Sequence, residues 1–172
     1  LESSRLVDEK VTKNYQQEFR NISLQLSSNL SIDDWYDVYK KIVFWELALS
    51  QSKDNSIDEI ISMQKSEANS QFFRFVKNNY KDWINDIDSP LLSNNLMKEK
   101  IFPLINTESP VYMLLIDNLR YDQWKVIEDT ILERFRIIED DIYLSILPTA
   151  TQYSRNSIFS GLKPSEIQKN YP

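Results

Sequence analysis

The sequence predicts two regions in tandem: an α-helical bundle over residues 1–108, then the opening β-α-β-α portion of an α/β domain over residues 109–172. Three observations predict this. A single glycine in 172 residues, against an average of about 7%, leaves few places for tight positive-φ turns and favours long helices. Up to about Asn106 the apolar residues recur at steps of three and four, the period of one helix face. From Val111 onward the pattern changes to short apolar runs and alternation, which is how strands read.

The helical elements follow in order. Val11, Tyr15, Phe19, Ile22 and Leu26 paint one face of a first helix. Ser31-Ile-Asp-Asp34 supplies an N-cap with acidic residues in the first turn. Behind it Trp35, Val38, Ile42, Trp45 and Leu49 form a seam suited to packing on another helix. Ser56-Ile-Asp-Glu59 reads as a capping box that opens a third helix through Ile60, Met63, Phe72, Phe75 and Val76. A fourth, shorter element is expected from Ser93 to Phe102. The segment Asn106-Thr-Glu-Ser-Pro110 reads as the boundary between regions. The aromatic residues Trp35, Trp45, Phe72, Phe75 and Trp83 are expected to fill the core.

In the second region Val111–Ile116 is a six-residue apolar run bounded by Pro110 and Asp117, as expected of a strand covered on both faces. Tyr121–Phe135 has helical spacing through Trp124, Ile127 and Ile131. Ile142, Leu144 and Ile146 alternate with Tyr143, Ser145 and Leu147, giving a second strand before Pro148. Thr151–Phe159 reads as a helix closed by Gly161, with Pro164 beyond it.

A net charge of −6 argues against a general polyanion-binding surface. The chain has no Cys and no His, so disulfides, thiolate metal sites and imidazole ligands are excluded. No run reaches the roughly 18 apolar residues of a membrane span, and with no secretory leader pattern a cytoplasmic location is expected. The chain begins at Leu1, not Met, and is expected to be a piece of a longer protein.

Two junctions carry the chemistry. Asp117 ends an apolar run, and strand carboxyl ends are where α/β sheets gather functional groups. A hard carboxylate there suits a divalent cation; an N-cap or an ion pair with Arg120 is the alternative. Thr151 stands at the start of the last helix, where free amide N–H groups and the helix dipole favour an anion and a deprotonating hydroxyl. Simple capping by Thr151 or Thr149 is the alternative. Arg155, one turn on, has the fork geometry for phosphate oxygens, and Asn156 can donate to the same oxygens; both residue types also serve as ordinary solvated surface.

Ile116-Asp-Asn-Leu-Arg-Tyr-Asp-Gln-Trp124 and Leu147-Pro-Thr-Ala-Thr-Gln-Tyr-Ser-Arg-Asn-Ser-Ile-Phe-Ser-Gly161 closely resemble the PglZ domain, a branch of the alkaline phosphatase superfamily. Tyr15-Gln-Gln-Glu-Phe19, Phe44-Trp-Glu-Leu47 and Gln64-Lys-Ser-Glu-Ala-Asn69 resemble the segment between receiver and PglZ domains in PorX-type response regulators linked to type IX secretion. The resemblance implies an alkaline-phosphatase-like second domain with two metal ions, usually zinc. It implies Asp117 as a metal ligand and Thr151 as a nucleophile that also touches the metals. Arg155 and Asn156 are implied substrate contacts, and Tyr121 and Asp122 take helix-start and capping roles. Implied partners are a phosphodiester or nucleotide-type substrate, an upstream receiver domain, a sensor kinase, secretion or transcription components, and a second copy in a homodimer. The family's other metal ligands, further aspartates and histidines, have no counterpart in these residues. Catalysis by the 172-residue chain alone is therefore not expected. A non-catalytic scaffold, dimerising through its helices and binding a regulatory partner, is the alternative to a zinc-dependent phosphodiesterase or phosphatase.

Overall fold

The computed structural model describes residues 2–50, 55–105 and 109–171, with backbone alone for residues 2–12, 55 and 56. The chain forms two compact units, Leu1–Lys81 and Asp82–Pro172. No described helix is long and apolar enough to cross a membrane.

The first unit holds α1 (Glu2–Leu26), α2 (Ile32–Leu49) and most of α3 (Asn55–Trp83). As the sequence requires, α2 starts at a reciprocal cap. Ser31 Oγ accepts the Asp34 N–H at 3.2 Å, and Asp34 Oδ2 accepts the Ser31 N–H at 2.8 Å, satisfying two otherwise orphaned donors. The seam of α2 is buried at Trp35, Val38, Ile42 and Leu49, with Trp45 packed beside it. It meets Ile22 and Leu26 of α1 and Ala68, Phe72 and Phe75 of α3, so the aromatic stripe does fill the core. A second cluster joins Tyr15, Leu49, Ile57 and Ile61. Val11 lies among the residues described by backbone alone, so its place on this face is outside the described side chains.

The face of α3 differs from the expected one. Ile60 and Met63 are exposed, at 42% and 72%, while Ile57, Ile61, Gln64 and Ala68 point inward. The reason is a polar residue the apolar count passed over. Buried Gln64 donates to the Phe19 carbonyl at 3.0 Å and accepts the Tyr15 hydroxyl at 3.3 Å. Loss of water around Tyr15 pushes its pKa up to about 12. α3 is also already helical at Asn55, so Ser56 is not its N-cap. Lys41 pairs with Asp37 of its own helix at 2.7 Å and ties α2 to α1 by donating to Gln25 Oε1 at 3.2 Å.

In the second unit Ser93–Asn95 and Phe102–Leu104 are 3₁₀ turns flanking a π-helical turn at Met97–Ile101. α4 (Tyr121–Leu132), α5 (Thr151–Ser160) and α6 (Pro164–Asn170) follow. The expected boundary at 108/109 differs from the observed division. Residues 91–95 pack with the C-terminal part: Leu144 N–H donates to the Leu91 carbonyl at 2.9 Å, Ile146 N–H to Ser93 Oγ at 3.0 Å. Asn106, Thr107 and Glu108 lie outside the described residues.

The two expected strands do not form. Among the described residues the one β-type contact is an isolated parallel bridge, Leu92 to Leu144. A ladder needs a neighbour of matching length on at least one side. None reaches Val111–Ile116, whose Tyr112 and Leu114 are 82% and 83% exposed. The β-α-β-α expectation is thus corrected to helices and turns joined by unpaired segments. The two-residue alternation survives without a ladder: Ile146 is fully buried, while Tyr143 and Ser145 face the other way, into a groove. α5 ends as expected, on Gly161 at φ 66°, with its N–H on the Ser157 carbonyl at 3.0 Å. α6 was not foreseen, although Pro164 at its first turn and Glu166 accepting the Lys163 N–H at 2.7 Å are both start signals.

The Ser31 hydroxyl and N–H hold the Asp34 carboxyl below its ordinary value of 3.8. A carboxyl depressed in the folded state stabilises above its ordinary value, and that contribution is lost as pH falls through the folded pKa. Ser31→Ala should therefore destabilise the first unit by about 1 kcal/mol at pH 7, read by urea unfolding with far-UV circular dichroism. The deficit against the parent should shrink as pH is lowered beneath 3.8. A deficit unchanged in acid would contradict the coupling.

Candidate active site

Asp117 follows the apolar segment Val111–Ile116, and the backbone turns there because Asn118 adopts φ 59°. Left-handed backbone is costly for side chains branched at Cβ and is tolerated by Asn. The carboxylate is left at the mouth of a groove of about 320 Å³. Downstream, the guanidinium of Arg120 forks onto Asp122, Nε to Oδ1 at 3.0 Å and Nη2 to Oδ2 at 2.9 Å. That contact holds the Asp122 carboxyl below its usual range. Gln123 Oε1 accepts the Arg120 N–H at 3.0 Å, fixing the start of α4 at Tyr121.

The opposite wall is α5. Its N-cap is Ala150, with no side-chain cap, so neither Thr149 nor Thr151 performs the capping that was the plainest reading of each. The Thr151 hydroxyl is therefore free for another use. Its Oγ1 lies 3.4 Å from Asp117 Oδ1 and 3.5 Å from Oδ2. Thr151, Ser154, Arg155 and Ile158 all line the groove, as positions i, i+3, i+4 and i+7 of one helix face must. Arg155 is exposed and makes no hydrogen bond or ion pair among the described residues. Asn156 lies off this face; it is exposed and does not line the groove.

Sequence reasoning passed over Tyr143, Ser145 and Ser154, which also line the groove. Burial raises the pKa of Tyr143. The signal for Tyr143 and Ser145 was their shared parity in the alternating run. For Ser154 it was the three-residue step from Thr151. Ser154 is 8% exposed; its Oγ lies 2.7 Å from Ser145 Oγ and 3.1 Å from Ser93 Oγ.

As a metal site the pair supplies two hard oxygens. Among the described residues no group of three or more His, Cys, Asp or Glu side chains gathers to hold a metal ion. Zinc takes three or four protein donors. The residues present match part of such a donor set and do not close one.

Residues 96–171, which contain every residue lining the groove, match the family described as the BREX system PglZ alkaline phosphatase-like domain. Residues 5–84, which span the three helices of the first unit, match the PorX response regulator linker domain. The chain is thus of the PorX type, a response-regulator linker joined to PglZ-type sequence. No curated protein matches it.

Asn118 gives a direct check on how the carboxylate is presented. Asn118→Gly should leave the thermal unfolding of the second unit within about 0.5 kcal/mol of the parent, whereas Asn118→Val should cost about 1–2 kcal/mol. Equal stability of the two variants would mean that the left-handed turn is absent in solution.

Proposed function

We propose that this chain belongs to a two-component response regulator of type IX secretion. Its PglZ-type unit contributes Thr151 as nucleophile and Asp117 as one metal ligand to a zinc-dependent phosphodiesterase or phosphatase. The observation that carries the reading is the meeting of Asp117 and Thr151 Oγ1 at an uncapped helix start. Their separation of 3.4–3.5 Å exceeds the roughly 2.7–2.8 Å of a strong O–H···O bond. It is close to the separation, about 3.4 Å, of two oxygens held by one tetrahedral cation at ~2.1 Å.

When bound, a divalent cation would acidify the hydroxyl and neutralise charge on the phosphoryl group. The remaining work falls to residues of the chain. Asp117 draws the Thr151 proton toward its oxygens, leaving an Oγ1 lone pair for in-line attack on phosphorus. The N–H groups at the start of α5 and the Arg155 guanidinium, unpaired among the described residues, take up phosphate oxygens. The Oγ1–P bond forms as the bond from phosphorus to the leaving alkoxide breaks, the alkoxide taking a proton from solvent water. A second water then attacks phosphorus, breaks the Oγ1–P bond, releases the phosphate product and returns a proton to Oγ1.

A second reading is favoured by the incomplete donor set. Here the PglZ-type unit binds a secretion or transcription partner without turnover, and the helical unit relays receiver phosphorylation within a homodimer.

The test is Thr151→Val in the full-length protein, assayed with bis(p-nitrophenyl) phosphate and zinc. Hydrolysis should fall at least about a thousandfold, equivalent to ~4 kcal/mol of transition-state stabilisation, with helicity unchanged. Undiminished hydrolysis would remove Thr151 as nucleophile. Loss of hydrolysis with signalling intact in cells would favour the scaffold.

A further inference from the structure

We infer that Ser145 is a ligand-binding residue of the groove, its hydroxyl aimed by Ser93 and Ser154 to donate to an anionic oxygen of a phosphate or phosphoester. This rests on the reading of the groove as a phosphoryl site and adds a contact that neither the sequence motifs nor the Asp117–Thr151 pair provides.

Each serine hydroxyl has one proton to give and two lone pairs to receive with. Ser93 is fully buried, and its Oγ already accepts the Ile146 N–H at 3.0 Å. Its own proton has a single acceptor among the described residues, Ser154 Oγ at 3.1 Å. A buried hydroxyl proton left without an acceptor is unfavourable, so Ser93 donates to Ser154. Ser154 has one proton, and its other neighbour is Ser145 Oγ at 2.7 Å, so Ser154 donates to Ser145.

The direction of the relay is thereby set. The reverse order would strand the Ser93 proton in the interior. The order Ser93 to Ser154 to Ser145 leaves the Ser145 proton without an acceptor among the described residues, and Ser145 is half-exposed and lines the groove alongside Thr151 and Arg155. Hydrogen bonds in a chain polarise one another, so the terminal O–H is a better donor than an isolated serine. The site is held from the interior side. Ser93 is anchored by the backbone of Ile146, and Ser154 rides on the same helix that carries Thr151. A proton available in a groove also lined by the Arg155 guanidinium, which has no partner among the described residues, recognises negative oxygen.

The probe is inorganic phosphate, titrated calorimetrically into the full-length protein and into Ser145→Ala and Ser145→Thr variants. Ser145→Ala should weaken phosphate binding about tenfold, the usual effect of losing a hydrogen bond to a charged group. Ser145→Thr, which keeps the hydroxyl, should bind within about threefold of the parent. A purely structural role would not be restored by a larger side chain that keeps the oxygen. Unchanged binding by Ser145→Ala, equal loss in both variants, or no phosphate binding by the parent would each overturn the assignment. Because the readout is binding and not turnover, the result stands apart from whether Thr151 proves to be the nucleophile.

Discussion

A carboxylate from a turn and a hydroxyl from a helix start can act together only if both are held against the motion of the segments that carry them. In the second unit the hydroxyl's side of that constraint is met by a latch at Ser93. Its buried oxygen takes the Ile146 N–H and contacts Ser154 of α5, while Leu144 bonds the neighbouring Leu91 carbonyl. The segment after Asp141 and the helix that begins at Thr151 are thereby fastened to one point. Ile146, Leu92 and Ile158, carried on these same segments, are buried, each contributing on the order of 1.5–3 kcal/mol. The acidic run Glu139–Asp141 is held from outside by two lysines, Lys100 with Glu139 and Asp141, and Lys125 with Asp140. The groove is therefore a consequence of the way the polypeptide is pinned on its inner side.

The first unit obeys a different logic. Its core is mostly aromatic and aliphatic, which drives association of three helices without choosing a register very sharply. The buried Gln64, bonded to Tyr15 and to the Phe19 carbonyl, adds a directional requirement. Sliding α3 by a residue would leave the amide unmatched in the interior, at about 1–3 kcal/mol. Such buried polar pins are a recognised means of setting helix register, and a linker that transmits a signal benefits from having one defined register.

What could be read in advance divides along physical lines. The α2 seam, the Ser31 cap and the Gly161 stop were legible because each depends on residues within a turn or two of itself. The face of α3 was misjudged because apolar counting gave no weight to Gln64. The strands at Val111–Ile116 and Ile142–Leu147 were expected from local pattern, yet a strand exists only through a partner, and no pattern within a segment reports that. Asp117 and Thr151 were legible as a pair through motif resemblance. Tyr143, Ser145 and Ser154 were not, since their role arises from contacts between distant segments, Ser93 above all. Asn156, read as a second donor to phosphate oxygens, is one residue beyond Arg155, about 100° further round the helix, and does not line the groove.

The most direct measurement is anomalous diffraction at the zinc edge from crystals of the full-length protein grown with zinc. A peak is expected within about 2.0–2.5 Å of an Asp117 carboxylate oxygen and of Thr151 Oγ1. Zinc bound elsewhere in the PglZ-type unit, or those two oxygens lying more than ~6 Å apart and so unable to share one ion, would contradict it.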